Sequence, residues 1–188
     1  MSTASKKIPL AQAEQIANDL VTALLAQCER IEVAGSIRRK KPIVGDIEIV
    51  AVPKIVTCSV DLMGELVLHR PLNKSLEDMM DRGVLKHSKG FRGNIWKYSQ
   101  FSISAHACNL DLFLATPNNF GLIFMLRTGP AEFSKRLVTP RLRGGLLPSF
   151  LRVSEGWIVN GKRSIPTLEE ADVWRILDLA PIAPEDRV

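Results

Sequence analysis

The sequence predicts an α+β fold, in which a mixed, twisted β-sheet backed by helices is followed by a smaller C-terminal α+β lobe. Apolar residues recur at helical spacing from about Pro9 to Cys28. Residues with strong β propensity alternate from Val44 to Val52, and a second strand-like run covers residues 109–115. A chain in which the helical spacing and the alternating strand pattern occur in separate segments is typical of the α+β class.

Most of the predicted sheet lies in the first part of the chain. A short buried strand is expected at residues 31–34, and Gly35-Ser36 turns the chain before the strand that Pro53 ends. The other expected elements here are a short helix at residues 73–80 closed by Gly83, and a β-hairpin formed by residues 94–104 and 109–115. Residues 54–72 fit no element clearly.

The Thr116-Pro117-Asn118-Asn119 segment interrupts the pattern, and we place a domain boundary between residues 117 and 118. The lobe beyond it is expected to contain helices at residues 120–126 and 131–138 and a hairpin in the string FLRVSEGWIVNGK. Thr167, followed three residues later by Glu170, resembles a capping box and predicts a helix that runs to Leu179.

The composition favours a folded protein with an anionic partner. The chain has 188 residues and a formal net charge of +5, and its three cysteines fit neither a disulfide framework nor a zinc site. Eight Lys and Arg residues against two acids lie between Arg127 and Arg163. Because no apolar run is long enough for a membrane span and no secretory signal is visible, we expect a cytoplasmic protein.

The most informative feature is the pair of carboxylates in the predicted strand, Asp46 and Glu48. Side chains two residues apart on a strand point to the same face, so these two project side by side. Two like charges are costly on a partly buried strand unless a divalent cation neutralises them, and Mg²⁺ prefers oxygen ligands. A solvent-facing edge strand is the competing interpretation.

Asp111 is a third candidate, because apolar neighbours such as Leu110 and Leu112 predict a well-buried strand. A carboxylate in such a strand needs a partner. On a strand beside the acidic pair it would complete a site for two metal ions, the arrangement used for in-line phosphoryl transfer. A bond to the backbone or to a basic side chain is the alternative.

The segment Gly35-Ser36-Ile37-Arg38-Arg39 adds a candidate phosphate site. A strand followed by Gly-Ser at a helix start exposes backbone N–H groups to an anion, and Arg38 or Arg39 can add a charge-assisted hydrogen bond. Taken alone, the segment is equally compatible with a solvated basic surface. What points to function is the combination of this cradle with the acidic pair and a buried Asp downstream.

The strings VAGSIRRKKPIVGDIEIVAVP, LDLF and LRTGPAEF together resemble the nucleotidyltransferase core of the family X DNA polymerases, the group of DNA polymerase beta. The resemblance covers residues 30–138, and residues 165–187 resemble the family's last helix and proline-containing tail. G-S-x-R-R with an acidic pair ten residues after the serine is specific to this nucleotidyltransferase superfamily. The T-G element after the third Asp narrows the resemblance to polymerases.

The resemblance implies a palm-like catalytic lobe at residues 1–117 and a nucleotide- and DNA-binding lobe at 118–188. Asp46, Glu48 and Asp111 would be catalytic and would hold two Mg²⁺ ions, which Mn²⁺ can replace, with Asp111 accepting the proton of the primer 3′-hydroxyl. The residues implied to bind the nucleotide are Gly35, Ser36, Arg39, Gly45, Leu126, Arg127, Thr128, Gly129 and Ser134. The residues implied to contact DNA are Lys135, Arg136, Arg141 and Arg143.

The sequence departs from the family pattern in three places. Glu48 stands where the better-known polymerases have Asp, and Leu126-Arg127 replaces the two aromatic residues that usually lie against the incoming sugar. The segment before Pro9 is too short for the DNA-clamping and lyase domains of larger members. We therefore expect a minimal monomeric polymerase of low processivity, similar in size to the smallest viral member.

The expected activity is DNA-directed addition of deoxynucleotides to a primer 3′-hydroxyl, with short-gap filling in DNA repair or replication as its use. Two other functions stay open. A nucleotidyltransferase that modifies a small molecule or a protein needs the same acids but no basic DNA face. A non-catalytic nucleic-acid-binding module descended from such an enzyme would not need all three acids.

Overall fold

The computed structural model describes residues 7–60, 66–89, 97–106 and 108–188. Within those residues the strands are β1 (Ile8–Pro9), β2 (Cys28–Val33), β3 (Ile43–Val44), β4 (Asp46–Pro53), β5 (Val56–Val60), β6 (Leu66–His69), β7 (Leu85–Lys89), β8 (Tyr98–Ile103), β9 (Cys108–Leu114), β10 (Arg152–Ser154), β11 (Trp157–Asn160) and β12 (Arg163–Ile165). The α-helices are α1 (Leu10–Leu24), α2 (Gly35–Arg38), α3 (Pro71–Asp81), α4 (Phe120–Thr128), α5 (Ala131–Val138) and α6 (Glu170–Leu177).

The main sheet has five strands in the order β2-β4-β9-β8-β7. Strands β4 and β9 run parallel, and the other neighbouring pairs are antiparallel. The sheet is therefore mixed, as the sequence predicts. Its centre is the β4–β9 pair, where alternate residues face opposite sides of the sheet.

One face of the sheet is covered by helices α1 and α3. Helix α1 buries Ala13, Ile16, Ala17, Leu20 and Leu24, which recur at the spacing of a single helical face. They pack with the inward residues of β4 and β9, among them Ile47, Ile49, Leu110 and Leu112. This apolar layer is the main core of the protein, and it leaves the alternate residues of β4 and β9 on the opposite face.

The opposite face is covered at one end only, by helix α4. Phe120 and Phe124 of this helix pack with Val50, Val52 and Phe113 of the central strands. The acidic residues of β4 and β9 lie on the same face but nearer the other end of the strands. They are consequently half-buried rather than enclosed in the core.

A second core supports the C-terminal lobe. Helix α4 contributes its other side, Leu122 and Met125, and helices α5 and α6 add Phe133, Leu137 and Trp174. The strands β10, β11 and β12 form a small antiparallel sheet that packs into the same core through Ile158. Helix α4 thus belongs to both cores and joins the lobes directly.

Several strands were not predicted from the sequence. Strand β7 adds an edge to the main sheet by pairing with β8, and β12 extends the predicted C-terminal hairpin to three strands. The ambiguous residues 54–72 contain β5 and β6, which pair with each other. Residues 94–96 of the predicted 94–104 strand lie outside the described residues, and within the described part that strand is β8.

The prediction that Thr167 caps the last helix was wrong. The N-cap is Glu169, and the side chain of Asp172 accepts the backbone N–H of Glu169 at 2.9 Å to complete the capping box. The N–H of Thr167 instead donates to the carbonyl of Asn118, and its carbonyl accepts the N–H of Gly121. These bonds tie Thr167 to the start of α4, so it is fully buried two residues before the N-cap.

Helices α4 and α6 approach each other closely at Gly121. A Cβ atom at this position would lie 2.2 Å from the carbonyl oxygen of Glu169, so only glycine fits without a shift of the backbone. In the described residues, none of the helices has the length and apolar character needed to cross a membrane.

Candidate active site

The structure brings three carboxylates together on the half-open face of the main sheet. Asp46 and Glu48 alternate with the buried Ile47 and Ile49 along β4, so both point away from the α1–α3 core. On the parallel neighbour β9, Asp111 is directly in register with Glu48. Residues in register on adjacent strands share a face, so the three acids form one cluster.

Burial and mutual repulsion act on this acid cluster. Burial, followed by the charge of Asp111, raises the pKa of Glu48 to about 7, and the charges of Arg39 and Arg127 only partly oppose this. Burial and the charge of Asp111 also raise the pKa of Asp46. A bound cation would stabilise the ionised form of these carboxylates, which burial and their mutual repulsion make costly.

Two residues of strand β8 hold the carboxylate of Asp111. The hydroxyl of Tyr98 donates to Oδ1 of Asp111 at 3.0 Å, and the amide of Gln100 donates to the same oxygen at 2.8 Å. Burial and the charge of Asp111 raise the pKa of Tyr98 to about 12, so its hydroxyl remains a donor at neutral pH. The sequence suggested neither role, because both depend on the register between β8 and β9.

The donor set suits a hard divalent cation, since three carboxylates supply the oxygen ligands that Mg²⁺ and Mn²⁺ prefer. Within the part of the chain that the structure describes, however, no group of three or more Asp, Glu, His or Cys side chains is already arranged as a metal centre. Asp111 is turned toward β8 by its two donors. Metal binding would thus require the side chains of Asp46 and Glu48 to turn toward Asp111, whose carboxylate is held by strand β8.

The Gly35-Ser36 cradle lies directly beside Glu48. Ala34 donates its N–H to the carbonyl of Glu48 at 2.8 Å, which fixes the start of the single-turn helix α2 against β4. Gly35 has φ +63°, and a Cβ there would lie 1.8 Å from Oε2 of Glu48. Only glycine suits this backbone and this contact. The first N–H groups of α2 and the acid cluster are consequently neighbours.

The two arginines of the G-S-x-R-R motif have different environments. Arg38 makes two hydrogen bonds to the carboxylate of Glu170, at 2.7 and 2.9 Å, and one to the hydroxyl of Thr128 at 2.8 Å. Its guanidinium also stacks on the ring of Phe124, 3.9 Å from the centroid. All of these contacts lead toward the C-terminal lobe, so Arg38 is a linking residue.

Arg39 is the arginine that faces the acid cluster. It donates one hydrogen bond to the carbonyl of Thr128, and its charge acts on Glu48. Burial lowers the pKa of Arg39, an effect that the charge of Glu48 partly opposes. Its Nε is buried and makes no hydrogen bond within the described part of the protein. A partly buried guanidinium with an unused donor beside a cradle of backbone N–H groups is suited to an anionic ligand.

The end of α4 also borders the acid cluster. The guanidinium of Arg127 stacks on Phe113 at 4.0 Å from the ring centroid, and its charge reaches Glu48. Gly129 permits the close approach of α5, because a Cβ there would lie 2.4 Å from the ring of Phe133. The hydroxyl of Ser134 donates to the carbonyl of Leu126 at 2.7 Å, so it caps the end of α4.

Gly45, at the other side of the cluster, precedes strand β4. A Cβ added at Gly45 would meet no atom within 4 Å, which places the residue beside open space. The start of β4 therefore leaves room for a ligand at Gly45.

A solved structure has the same architecture. The structure of Leishmania infantum polymerase beta, described as a ternary P/T complex, superposes with a TM-score of 0.72 and matches 99% of this chain and 78% of that chain at 15% sequence identity. The chain has a polymerase beta-like fold. No protein-family model matches the sequence, and no curated protein matches it either.

In this polymerase beta-like fold, most of the expected DNA-contacting residues lie free on the surface of the C-terminal lobe. Lys135, Arg136 and Arg143 are exposed. Arg141 differs, because its guanidinium donates to the carbonyls of Leu146 and Leu177. These bonds give Arg141 a structural role in holding the 139–148 segment against α6, in addition to any contact with a ligand.

Proposed function

We propose that the protein is a nucleotidyltransferase that adds deoxynucleotides to the 3′-hydroxyl of a DNA primer and releases pyrophosphate. The observation that carries this proposal is the position of Asp46, Glu48 and Asp111 on one half-open face, beside a cradle that offers Arg39 and backbone N–H groups to an anion. Such a site suits a substrate that combines phosphates with a metal ion. The polymerase beta-like fold supports the choice of reaction.

Asp46, Glu48 and Asp111 would hold the two Mg²⁺ or Mn²⁺ ions. When bound, the ions would stabilise the charge that develops on the attacking and leaving oxygens of an in-line displacement. The raised pKa values of Asp46 and Glu48 support this assignment, because burial and mutual repulsion make the ionised carboxylates costly until a cation binds them.

The other residues would bind and orient the substrates. Ser36, the backbone N–H groups after Gly35 and the guanidinium of Arg39 would hold the triphosphate. Asp111 would accept the proton of the primer 3′-hydroxyl. Because Tyr98 and Gln100 both donate to its Oδ1, they orient the carboxylate so that Oδ2 can face the hydroxyl.

The exposed cations of the C-terminal lobe would contact the DNA backbone. Lys135, Arg136, Arg141 and Arg143 are all exposed, but Arg141 is also needed for local structure. Each phosphate contact releases counterions, so DNA binding should weaken as the salt concentration rises. These residues would hold the duplex without reading its sequence.

The experiment that tests the proposal is extension of a labelled primer on gapped, recessed and single-stranded substrates with Mg²⁺ or Mn²⁺. We expect incorporation of the nucleotide that matches the template, strongest on the gapped substrate, and none with Asp111→Ala. No incorporation on any substrate with either metal would refute the proposal. Equal activity in the parent and the variant would remove Asp111 from the site.

A paired substitution separates this proposal from modification of a small molecule or protein. Reversing the charges of Arg136 and Arg143, both exposed, should weaken activity on DNA and leave the fold intact. An enzyme with a small acceptor would be unaffected by the same change. The matched control is charge reversal at Arg175, an exposed arginine of α6 that we assign no role in binding.

A further inference from the structure

A group of exposed apolar side chains lies on the C-terminal lobe away from the acid cluster. Leu142 is 87% exposed and Phe150 is 72% exposed, the two highest values for large apolar side chains in the described part of that lobe before the C-terminal residue. The backbone N–H of Leu142 donates to the hydroxyl of Ser149, the residue before Phe150, at 3.2 Å. We call Leu142, Phe150, Arg143, Arg152 and Lys162 the platform.

The backbone beneath the platform is hydrogen-bonded and closely packed. Arg143 donates its N–H to the carbonyl of Pro140 at 2.8 Å, and Arg141 donates its N–H to the carbonyl of Leu147 at 2.7 Å. Gly145 fits tightly into this loop, since a Cβ there would lie 1.9 Å from the carbonyl oxygen of Thr139. The backbone hydrogen bonds of this loop therefore fix Phe150 and Leu142 in exposed positions.

A groove of about 560 Å³ runs past Phe150, and its charges are all of one sign. Arg143, Arg152 and Lys162 line it, together with the apolar Pro140, Leu151 and Val159. No Asp or Glu is among the described residues of the lining. An aromatic ring with three cations and no carboxylate is complementary to a ligand that has flat rings and regularly spaced negative charges.

We propose that the platform binds single-stranded DNA, with an unpaired base stacked on Phe150 and the neighbouring phosphates bound by Arg143, Arg152 and Lys162. The choice of DNA rests on the proposed function, in which a template strand continues beyond the primer terminus. The platform holds the unpaired part of that strand. It adds Phe150, Arg152 and Lys162, which no comparison assigns, to the nucleic-acid contacts of the lobe.

The test measures the affinity of the full chain for a fluorescently labelled oligothymidylate by anisotropy, without nucleotide or metal. Phe150→Ala should weaken binding about tenfold because a base–aromatic stack is lost, and Phe150→Trp should restore it. An oligonucleotide of the same length made of abasic sites should bind the parent and Phe150→Ala equally. Leu168→Ala, which removes another exposed apolar side chain of the same lobe, should leave the affinity for the oligothymidylate unchanged.

The salt dependence of binding separates stacking from charge. Replacing Arg143, Arg152 and Lys162 together by Gln should lower the slope of log affinity against log salt by about 2, since each phosphate contact to a single strand contributes roughly 0.7. Phe150→Ala should leave that slope unchanged. Because Phe150 and the three cations are exposed, the variants should keep the thermal unfolding midpoint of the parent.

Unchanged affinity in Phe150→Ala, or equal loss in Leu168→Ala, would overturn the proposal. A concentration-dependent dimer that Phe150→Ala abolishes would also overturn it, since the surface would then serve a second copy of the chain. The result is independent of catalysis. Binding of the oligonucleotide through Phe150 without primer extension would support the platform and refute the proposed function. Primer extension without any contribution of Phe150 to binding would support the proposed function and refute the platform.

Discussion

Glu48 occupies the most demanding position in the acid cluster. It is half-buried, it lies in register with Asp111, and its carboxylate is packed against Gly35. Burial and the neighbouring acids raise its pKa to about 7, whereas an ordinary glutamate has a pKa near 4.5. Ionisation of Glu48 is therefore costly in the folded protein, and the cost favours a ligand that brings positive charge.

This cost predicts that Glu48→Gln stabilises the protein at alkaline pH. The pKa of Glu48 is higher in the folded than in the unfolded protein. The free energy of unfolding therefore falls as the pH rises from about 4.5 to about 7. Removing the charge should raise the free energy of unfolding by ~2–3 kcal/mol near pH 8 and by almost nothing near pH 4. Urea unfolding at the two pH values measures the difference.

Glu14→Gln, an exposed acid on α1, is the matched control and should change stability little at either pH. Mg²⁺ should raise the thermal unfolding midpoint of the parent, because an ion that binds only the folded state stabilises it. The Glu48→Gln variant should lose this increase. A variant that is less stable than the parent near pH 8 would contradict the electrostatic explanation.

Tyr98 and Gln100 are expected to act through Asp111. Tyr98→Phe keeps the ring stacked on Phe113, 4.9 Å between centroids, and removes only the hydroxyl that donates to Asp111. Together with Gln100→Leu it should lower kcat roughly 10–100-fold, the usual range for residues that orient a metal-binding side chain. The KM for the nucleotide should stay the same, because neither residue lies in the cradle.

The thermal unfolding midpoint distinguishes this positioning role from a general loss of structure. We expect it to change little in Tyr98→Phe, since the aromatic packing remains. Gln100→Glu tests the sign of the interaction, because it places a second carboxylate against Asp111. If kcat is unchanged in the double variant, Asp111 does not need these donors.

At the scale of the elements, a buried ion network joins the cradle helix to the C-terminal lobe. Glu170 of α6 accepts two hydrogen bonds from Arg38 of α2 and two from Arg187 of the C-terminal tail. Arg187 is only 2% exposed and packs beside Phe133 and Trp174. Burial alone would raise the pKa of Glu170, but the two arginines outweigh it and lower the pKa below its usual value.

Arg187→Ala should therefore destabilise the protein. It removes one of the two arginines that bind the carboxylate of Glu170, and Arg38 still binds it. We therefore expect the free energy of unfolding to fall by ~2–3 kcal/mol, which is less than the full cost of an unpaired buried charge. Arg175→Ala is the control, because its pair with Asp172 is exposed and should contribute less than ~0.5 kcal/mol. Urea unfolding at neutral pH measures both.

The network also predicts a pH dependence. Because the folded-state pKa of Glu170 is lowered, its contribution is present above the unfolded-state pKa of about 4.5 and is lost as the pH falls through the folded-state value. The difference in stability between the parent and Arg187→Ala should narrow as the pH falls below 4.5. A constant difference down to acid pH would show that Arg187 acts only through its packing.

The strands and helices that are amphipathic over many residues were predictable, and those that depend on distant partners were not. Helix α1 and strands β4 and β9 have clear periods of their own. Strand β7 has a polar sequence and exists because β8 offers an edge to pair with. The start of α6 was misplaced because Thr167 is held by the chain at Asn118 and Gly121, a contact that no local pattern encodes.

The candidate site divides in the same way. The common face of Asp46 and Glu48 follows from the strand period alone, and a third acid on a neighbouring strand followed from the burial around Asp111. The donors Tyr98 and Gln100 required the β8–β9 register. The residues alone left Arg38 and Arg39 equivalent, and only the resemblance selected Arg39. In the structure, the pair with Glu170 identifies Arg38 as the linking arginine.

For the molecule as a whole, helix α4 connects the acid cluster to the basic surface. Phe120 and Phe124 pack on the main sheet, whereas Leu122 and Met125 belong to the core of the C-terminal lobe. The acids lie on the main sheet, and the exposed cations lie on the C-terminal lobe. The end of α4 lies next to the acid cluster, because the carbonyl of Thr128 accepts a hydrogen bond from Arg39 and Arg127 stacks on Phe113.

The central claim is that Asp46, Glu48 and Asp111 form one site for nucleotidyl transfer. It is tested most directly by single-turnover incorporation of one labelled deoxynucleotide into a single-nucleotide gap, with the parent and the isosteric variant Asp111→Asn. We predict incorporation with stoichiometric release of pyrophosphate by the parent, a rate lower by about 10³-fold in the variant, and an unchanged thermal unfolding midpoint. Equal rates in the two proteins, or no pyrophosphate from the parent with either Mg²⁺ or Mn²⁺, would contradict the claim.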